Sequence, residues 1–363
     1  MSADQLNRPT ALDATTRAVL DLLSGADIHT VAARTGMEPA DLTAAVTVYR
    51  NAGREALAAQ SQPAWRHLYL QFADWGAAEQ TAARQLLPTL DAVQSSAQIS
   101  HWWFIRKNPC WRLRLLTPEA APVPDRVSLV LDRLVVGGEL HRWWPGIYEP
   151  EAAAFGGDTG MAIAHDLFHA DSRTVLHRAL TGGAPLGRRE VSILLCATLM
   201  RAAGLEWYEQ ADVWHRITQQ RPLPGNATPD KISAMSGDLL KLMVADTSST
   251  SPMLHPGEGL ASAEDWVASF RQAGRELGMA AQDGTLYRGL REVIAYHIIF
   301  HWNRLGLPAG TQSILAHAAY AAILTPQTCP AEGPAPFREG ARMRERSPAG
   351  RRSPGDQARR LDR

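Results

Sequence analysis

The spacing of hydrophobic residues changes twice along this chain, and the changes leave few folds open. Between Ala11 and Gln60 apolar residues return at helical intervals, in Ala18-Val19-Leu20, Leu22-Leu23 and Val31-Ala32. From Pro63 to Glu149 the period becomes two. Trp65-Arg-His-Leu-Tyr-Leu-Gln-Phe72 reads as a strand, and a helix follows over about Ala77 to Ala97. His101-Trp-Trp-Phe-Ile-Arg106 and Trp111-Arg-Leu-Arg-Leu-Leu116 then form a hairpin joined by Lys107-Asn-Pro-Cys110. A helix near Arg126 to Val136 leads to a last strand, Glu139-Leu-His-Arg-Trp-Trp144. From about Met161 to Leu324 the helical period returns in seven runs, with Asp246 to Gly259 as a loop. Strands collected in one region and helices in another predict an α+β fold: an N-terminal helical unit, then an antiparallel sheet packed with a largely helical C-terminal half.

Three regions follow: residues 1–61 as a helical unit, 62–325 as the α+β domain, and 326–363 as a tail. The tail holds nine arginines against five acids and is rich in Pro, Gly and Ser, a composition expected to stay disordered. In the first region a helix, a break at Gly36 and a helix opened by Glu38-Pro-Ala-Asp41 resemble a helix-turn-helix. Acids outnumber bases there, and Asp41-Leu-Thr-Ala-Ala-Val-Thr-Val-Tyr-Arg50 offers one arginine against one aspartate. A DNA reader needs several cations on phosphates and bidentate side chains on base edges. The unit is therefore expected to dock protein, with no direct contact to nucleic acid.

Net charge is zero, so nothing global steers the chain toward nucleic acid or anionic lipid. No stretch approaches the roughly 18–20 apolar residues that span a bilayer, and Met1 to Thr10 has no apolar signal core. Cys110, Cys196 and Cys329 form no C-x-x-C pair, which fits a reducing cytoplasm. Five of the eleven tryptophans crowd between Trp102 and Trp144, as a heavy core or as a peptide-binding wall. No Gly-x-Gly-x-x-Gly, P-loop or Gly-x-Ser-x-Gly occurs, which argues against nucleotide cofactors and α/β-hydrolase chemistry.

The hairpin carries the first candidate site. Arg112 and Arg114 share a strand face, and the fold-back is expected to set Arg106 beside them. Three guanidiniums together repel unless an anion, or structural acids such as Glu139 or Glu149, sit among them. Their pattern, Phe104-Ile-Arg106 through Trp111-Arg112-Leu-Arg114, resembles the Phe-Ile-Arg-Tyr-x-Asp-Pro-x-x-His-Leu-Arg-Leu-Arg hairpin of the thiopeptide-type bacteriocin biosynthesis family. That family includes the C-terminal elimination domain of lantibiotic dehydratases. Further likenesses follow in order: Tyr148-Glu149-Pro-Glu151 with Phe155-Gly156-Gly157, then Leu167-Phe168-His-Ala-Asp171-Ser172, then His301-Trp-Asn303-Arg304-Leu305-Gly306.

The resemblance implies biosynthesis of a ribosomally made, post-translationally modified peptide, and most directly elimination of glutamate from glutamylated Ser or Thr. The implied partners are the precursor peptide, with its leader and glutamylated core, and a separate glutamylating dehydratase subunit. No metal or organic cofactor is implied. Elimination must remove a Cα proton, stabilise enolate-like charge and release a carboxylate; a histidine suits the first task and fixed cations the others. His297 and His301 lie four apart on one helical face with Arg304 three further on. No glutamate follows His297 as H-E-x-x-H requires, so the spacing names no metal site. The expected catalytic residues are His301, Arg106 and His297, and the expected substrate-binding residues are Arg112, Arg114, Tyr148 and Arg304. Two histidines hydrogen-bonded inside a helix bundle fit the same spacing. His165 and His169, beside Asp166 and Asp171, read as a solvated helix surface. The chain has Pro150 and Ala154 where the family carries arginines, and Trp111 in place of the hairpin histidine. These departures keep open a pyridine synthase, performing a formal [4+2] cycloaddition of two dehydroalanines, and a non-catalytic subunit that binds precursor or dehydratase.

Overall fold

The computed structural model describes residues 11–61, 64–118, 121–182, 186–225, 227–254 and 263–324. The expected tail falls outside the described residues. The chain opens with three helices, α1 (Ala11–Leu23), α2 (Ile28–Thr35) and α3 (Pro39–Ser61). Asp27 caps α2 by accepting a hydrogen bond from the Thr30 N–H, and Gly36 closes it. Ala18, Val31, Ala32 and Leu42 form a small apolar cluster of their own.

Four antiparallel strands follow, β1 (Ala64–Phe72), β2 (His101–Lys107), β3 (Cys110–Thr117) and β4 (Leu140–Gly146), in the order β2-β3-β1-β4. Between β1 and β2 run α4 (Ala78–Thr81), a π-helical turn (Ala82–Leu86) and α5 (Leu87–Ser95); α6 (Asp125–Val136) precedes β4. Alternation gives the sheet two unlike faces. Leu68, Leu70, Phe104, Trp111, Leu113 and Leu115 line one and join Leu90, Val127 and Leu131 of α5 and α6 in the main core. The other face belongs to a second cluster containing Trp103 and Ile105, packed against Phe155 of α7 (Ala152–Phe155) and Met161, Ala164 and Phe168 of α8 (Asp158–Thr181).

The helical half continues through α9 (Arg188–Ala202), α10 (Trp207–Gln220), α11 (Pro229–Val244), α12 (Glu264–Gln282), α13 (Leu290–Leu305) and α14 (Ala309–Leu324). Helices α9 and α12 approach closely at Gly274, where a Cβ would stand 2.4 Å from the Leu199 carbonyl oxygen. The architecture is the α+β arrangement read from the periods. No described helix is long and apolar enough to cross a membrane.

An edge strand presents unpaired backbone groups that need partners when buried. On β2 these are met by side chains. Ser172 accepts from the Phe104 N–H at 3.1 Å, and His169 Nδ1 lies 2.8 Å from the Trp102 carbonyl. Arg304 of α13 donates through Nε to the Phe104 carbonyl at 3.1 Å. So α8 and α13 seal the sheet where the chain would otherwise need a fifth strand.

Candidate active site

On the second face, Trp65, His67 and Tyr69 of β1 alternate with the core leucines. The register sets His67 across from Arg114 on one side and Gly146 on the other, and Tyr69 across from Arg112 and Trp144. Cross-strand neighbours on one face touch. Tyr69 stacks on Trp144 with ring centroids 5.1 Å apart, His67 lies 4.5 Å from Tyr69, and the Arg112 guanidinium sits 5.8 Å from the Tyr69 ring. A Cβ at residue 146 would stand 2.5 Å from Tyr69 Cε2, so Gly146 is what lets that ring lie across the edge strand.

Arg114 is the centre of this face. It is 2% exposed, with its guanidinium 4.0 Å from the Trp103 ring and 4.6 Å from the Tyr148 ring. Its Nε and Nη1 have no hydrogen-bond partner in the protein. Burial pulls its pKa down to about 10, against the pull of Tyr148 and Glu151, so it stays cationic at neutral pH. Aromatic faces stabilise a guanidinium without neutralising it. Glu151 reaches Arg114 through its field alone, and the Arg114 Nε and Nη1 groups and the Glu151 Oε2 atom are left without hydrogen-bond partners.

Neutral groups surround the cations. Tyr148 and His165 Nε2 share a hydrogen bond of 2.8 Å. Burial pushes the Tyr148 phenol well above its ordinary range, while burial and then Arg114 bring His165 down to about 4. His165 is thus a half-buried partner of Tyr148 and not part of a solvated helix surface. His67, 4% exposed, is likewise lowered to about 4 by burial, then by Arg114 and Arg112, with the Ile147 backbone opposing. Neither of its ring nitrogens has a protein partner of good geometry.

Arg106 does not join this patch. In the hairpin Ile105 pairs with Arg112 and Arg106 with Trp111, which puts Arg106 on the opposite face. There it lies 4.7 Å from the Trp111 ring and is ion-paired with Glu79, which also holds Arg188. The expected patch of three arginines is a patch of two, because one residue of register exchanges the faces.

His297, His301 and Arg304 are brought together on α13, deep in the core. His301 Nδ1 is 2.9 Å from Asp171 Oδ2, with His301 1% and Asp171 0% exposed. Arg304 is ion-paired with the same carboxylate, and Trp266 Nε1 donates to its other oxygen at 2.8 Å. The Leu-Phe-x-x-Asp-Ser and His-x-Asn-Arg segments therefore meet as one buried network. His297 points elsewhere, 4.9 Å from Phe155 and 6.0 Å from Phe168. Both its nitrogens are unpartnered, and burial, then Arg304, push its pKa down to about 3. Among the described residues no three His, Cys, Asp or Glu side chains are arranged to hold a metal.

Sequence reasoning passed over Trp65, His67, Tyr69 and Trp103. The available signal was the alternation Trp65-x-His67-x-Tyr69 opposite a leucine row, which places a histidine on the arginine face. A wide groove between α8 and α12, lined by Arg173, Arg178, Arg271 and Trp266, includes none of these residues.

Comparison with known proteins shows relatives of the sequence and of the fold. The sequence matches the family described as lantibiotic biosynthesis dehydratase, C-terminal, over residues 65–323. The fold is similar to the tRNA dependent lantibiotic dehydratase MibB from Microbispora sp. 107891, at 19% identity and a TM-score of 0.53, covering 71% of this chain and 28% of that one. The chain thus spans just over a quarter of that dehydratase. TsrL is similar at 16% identity and a TM-score of 0.50, covering 72% of this chain and 98% of the other. The pyridine synthase TbtD, from thiomuracin biosynthesis, aligns at 15% identity with a TM-score of 0.49, covering 71% and 97%. No curated protein matches the sequence. The chain belongs to the lantibiotic biosynthesis dehydratase C-terminal family, a family of peptide-modifying enzymes in the biosynthesis of ribosomally made, post-translationally modified peptides.

Proposed function

We propose that this chain eliminates glutamate from glutamylated Ser or Thr in a precursor peptide, with Arg112 and Arg114 as the carboxylate site. The observation that carries this is Arg114 itself: a buried cation held by two aromatic rings, with two N–H groups lacking partners. Glu151 acts on this charge through its field but forms no hydrogen bond to it. A buried guanidinium with unpaired N–H groups is costly, and a substrate carboxylate offers it the bidentate partner it lacks. Arg112 on the same face adds a second cation, and the protonated Tyr148, accepting from His165 Nε2–H, adds a neutral O–H donor for developing enolate charge. On this reading a separate glutamylating dehydratase subunit supplies the substrate. His301, His297 and Arg304 act through the position of α13 against the sheet, and Arg106 through its ion pair with Glu79.

Incubation of the protein with glutamylated precursor should release glutamate and lower the peptide mass accordingly. Arg114→Gln should cut kcat by about 100-fold or more, the usual cost of losing one anion-stabilising donor. Unchanged substrate mass with folded wild-type protein would refute elimination. A cycloaddition is the second reading, favoured by the neutral Tyr148–His165 pair, which suits hydrogen bonding to uncharged intermediates. A precursor bearing two dehydroalanines separates the two, since only a pyridine synthase would close the ring. Binding of precursor with neither reaction would identify a non-catalytic subunit.

A further inference from the structure

We propose that His67 is the group that takes the Cα proton of the bound substrate, and that binding of the substrate's carboxylate is what arms it. The assignment rests on the elimination reading above. It starts from position. His67 is directly across the sheet from Arg114, and its other strand neighbour, Gly146, has no side chain to cover it. Both its nitrogens lack protein partners of good geometry, unlike those of a histidine placed to hold the fold together.

Of the other described histidines on or near the sheet, His141 lies exposed on β4, His101 lies 3.4 Å from Asp166, and the rest are occupied or walled off. His165 is bonded to Tyr148, His169 to the Trp102 backbone, and His301 to Asp171. His297 faces phenylalanine rings. Among the described residues, the imidazole that faces Arg112 and Arg114 without a hydrogen-bond partner is that of His67, and a carboxylate held by the two arginines carries the attached Cα past it.

Charge then decides when it acts. The groups facing His67 are Arg112 and Arg114 of β3, Tyr69 of its own strand, and Tyr148 with the Ile147 backbone after β4; Glu151 and His165 lie beyond, about Arg114 and Tyr148. In the free protein burial, and after it the field of the two arginines, opposes its protonation, which leaves it neutral but weakly basic. A bound carboxylate cancels much of that field and raises its proton affinity toward the operating pH, where general-base catalysis is most effective. In the step itself the Cα–H bond breaks, its electrons form the Cα=Cβ bond, and the Cβ–O ester bond breaks. Glutamate leaves with that electron pair as a carboxylate, and the proton resides on His67 until solvent takes it. No oxidant or co-reactant is needed.

Two measurements test this. In the first, the His67 imidazole resonance, assigned by its absence in His67→Gln, is titrated with and without glutarate. Its midpoint should rise by about one pH unit or more with glutarate, and should not move in Arg114→Gln. In the second, wild type and His67→Gln are compared on glutamylated precursor. The variant should bind with unchanged KM, lose kcat by about 100-fold or more, and lose the acid limb of the kcat–pH profile. Imidazole should partly restore His67→Ala. A wild type that eliminates while His67→Gln keeps full kcat would overturn the His67 assignment and leave the elimination reading standing. A folded wild type that releases no glutamate would overturn both. A midpoint indifferent to saturating glutarate would overturn the arming by carboxylate.

Discussion

Asp171 of α8 and Arg304 of α13 form an ion pair in which neither side chain is more than 1% exposed. The pair is completed by His301 and Trp266 on the carboxylate and by the Phe104 carbonyl on the guanidinium. Helices α8, α12 and α13 thus meet on one carboxylate, and Arg304 ties them to the edge of β2. Removing one partner of a buried pair strands the other charge, at a cost of about 3–5 kcal/mol. Asp171→Ala should lower the stability read from denaturant midpoints by about that amount. The apolar triple replacement Asp171→Leu, His301→Leu, Arg304→Met should recover most of the loss. Full stability in Asp171→Ala would show that the network does not hold α13 to the sheet.

Acid should weaken the fold before the carboxylates titrate. His67 and His165 are lowered to about 4 and His297 to about 3, from an ordinary 6.5. Below 6.5 the unfolded chain takes up protons that the folded chain refuses until about pH 4 to 3. Stability that is complete above pH 6.5 is therefore lost progressively as pH falls toward that window. The Asp171 carboxylate, also lowered, contributes stability that is lost at lower pH still. Urea midpoints measured from pH 7.5 to 4.5 should fall, and His297→Leu should flatten the slope. A pH-independent midpoint, or a His297→Leu slope equal to wild type, would contradict the buried neutral histidine.

How far the sequence reached can be judged at particular residues. The strand from Trp65 to Phe72 and the hairpin were legible because alternation is a local signal, and they appear at Ala64–Phe72, His101–Lys107 and Cys110–Thr117. The face of Arg106 was not, since it depends on register: Lys107 pairs with Cys110, so Arg106 meets Trp111. Counting Asn108 and Pro109 as a two-residue turn gives that register. The sealing of β2 by Ser172 and Arg304 had no local trace, because Phe104 lies 68 and 200 residues from its partners. The i, i+4 spacing of His297 and His301 set them on one helical face of α13, and the structure buries both. It carried no information about Asp171, which decides what His301 does.

The contact of α9 with α12 offers a test of packing alone. A Cβ at residue 274 would meet the Leu199 carbonyl at 2.4 Å and the Ala202 Cβ at 2.7 Å, and backbone cannot rotate away. Alanine is ordinarily the better helix residue by about 0.5–1 kcal/mol, but overpacking costs about 1–3 kcal/mol. Gly274→Ala should therefore destabilise. Gly237→Ala in α11, where nothing lies within 4 Å of the added carbon, should be neutral or mildly stabilising. Thermal melts of the two variants moving in the same direction would count against the close approach of α9 and α12.

The N-terminal helices are expected to bind protein, either the precursor's leader or the dehydratase subunit. Their apolar cluster of Ala18, Val31, Ala32 and Leu42, with Leu22, Ile28 and Met37 packed on it, is distinct from the two clusters of the α+β region. Beyond it, α1 and α3 present Leu20, Val48 and Tyr49 to solvent at 45%, 68% and 45% exposure. Exposed apolar side chains on a small unit favour a protein partner, whereas a DNA reader needs phosphate-binding cations, and α3 supplies only Arg50 and Arg54. Removing residues 1–62 should weaken capture of precursor or dehydratase, measured by calorimetry, by about tenfold or more, the loss of some 1.4 kcal/mol. The midpoint of the remaining domain should stay within a few degrees, since its own clusters are untouched. Replacing Val48 and Tyr49 together with serine should reproduce the binding loss without truncation. Retention of a specific duplex by the intact protein at physiological salt, or loss of the α+β fold on truncation, would overturn this assignment.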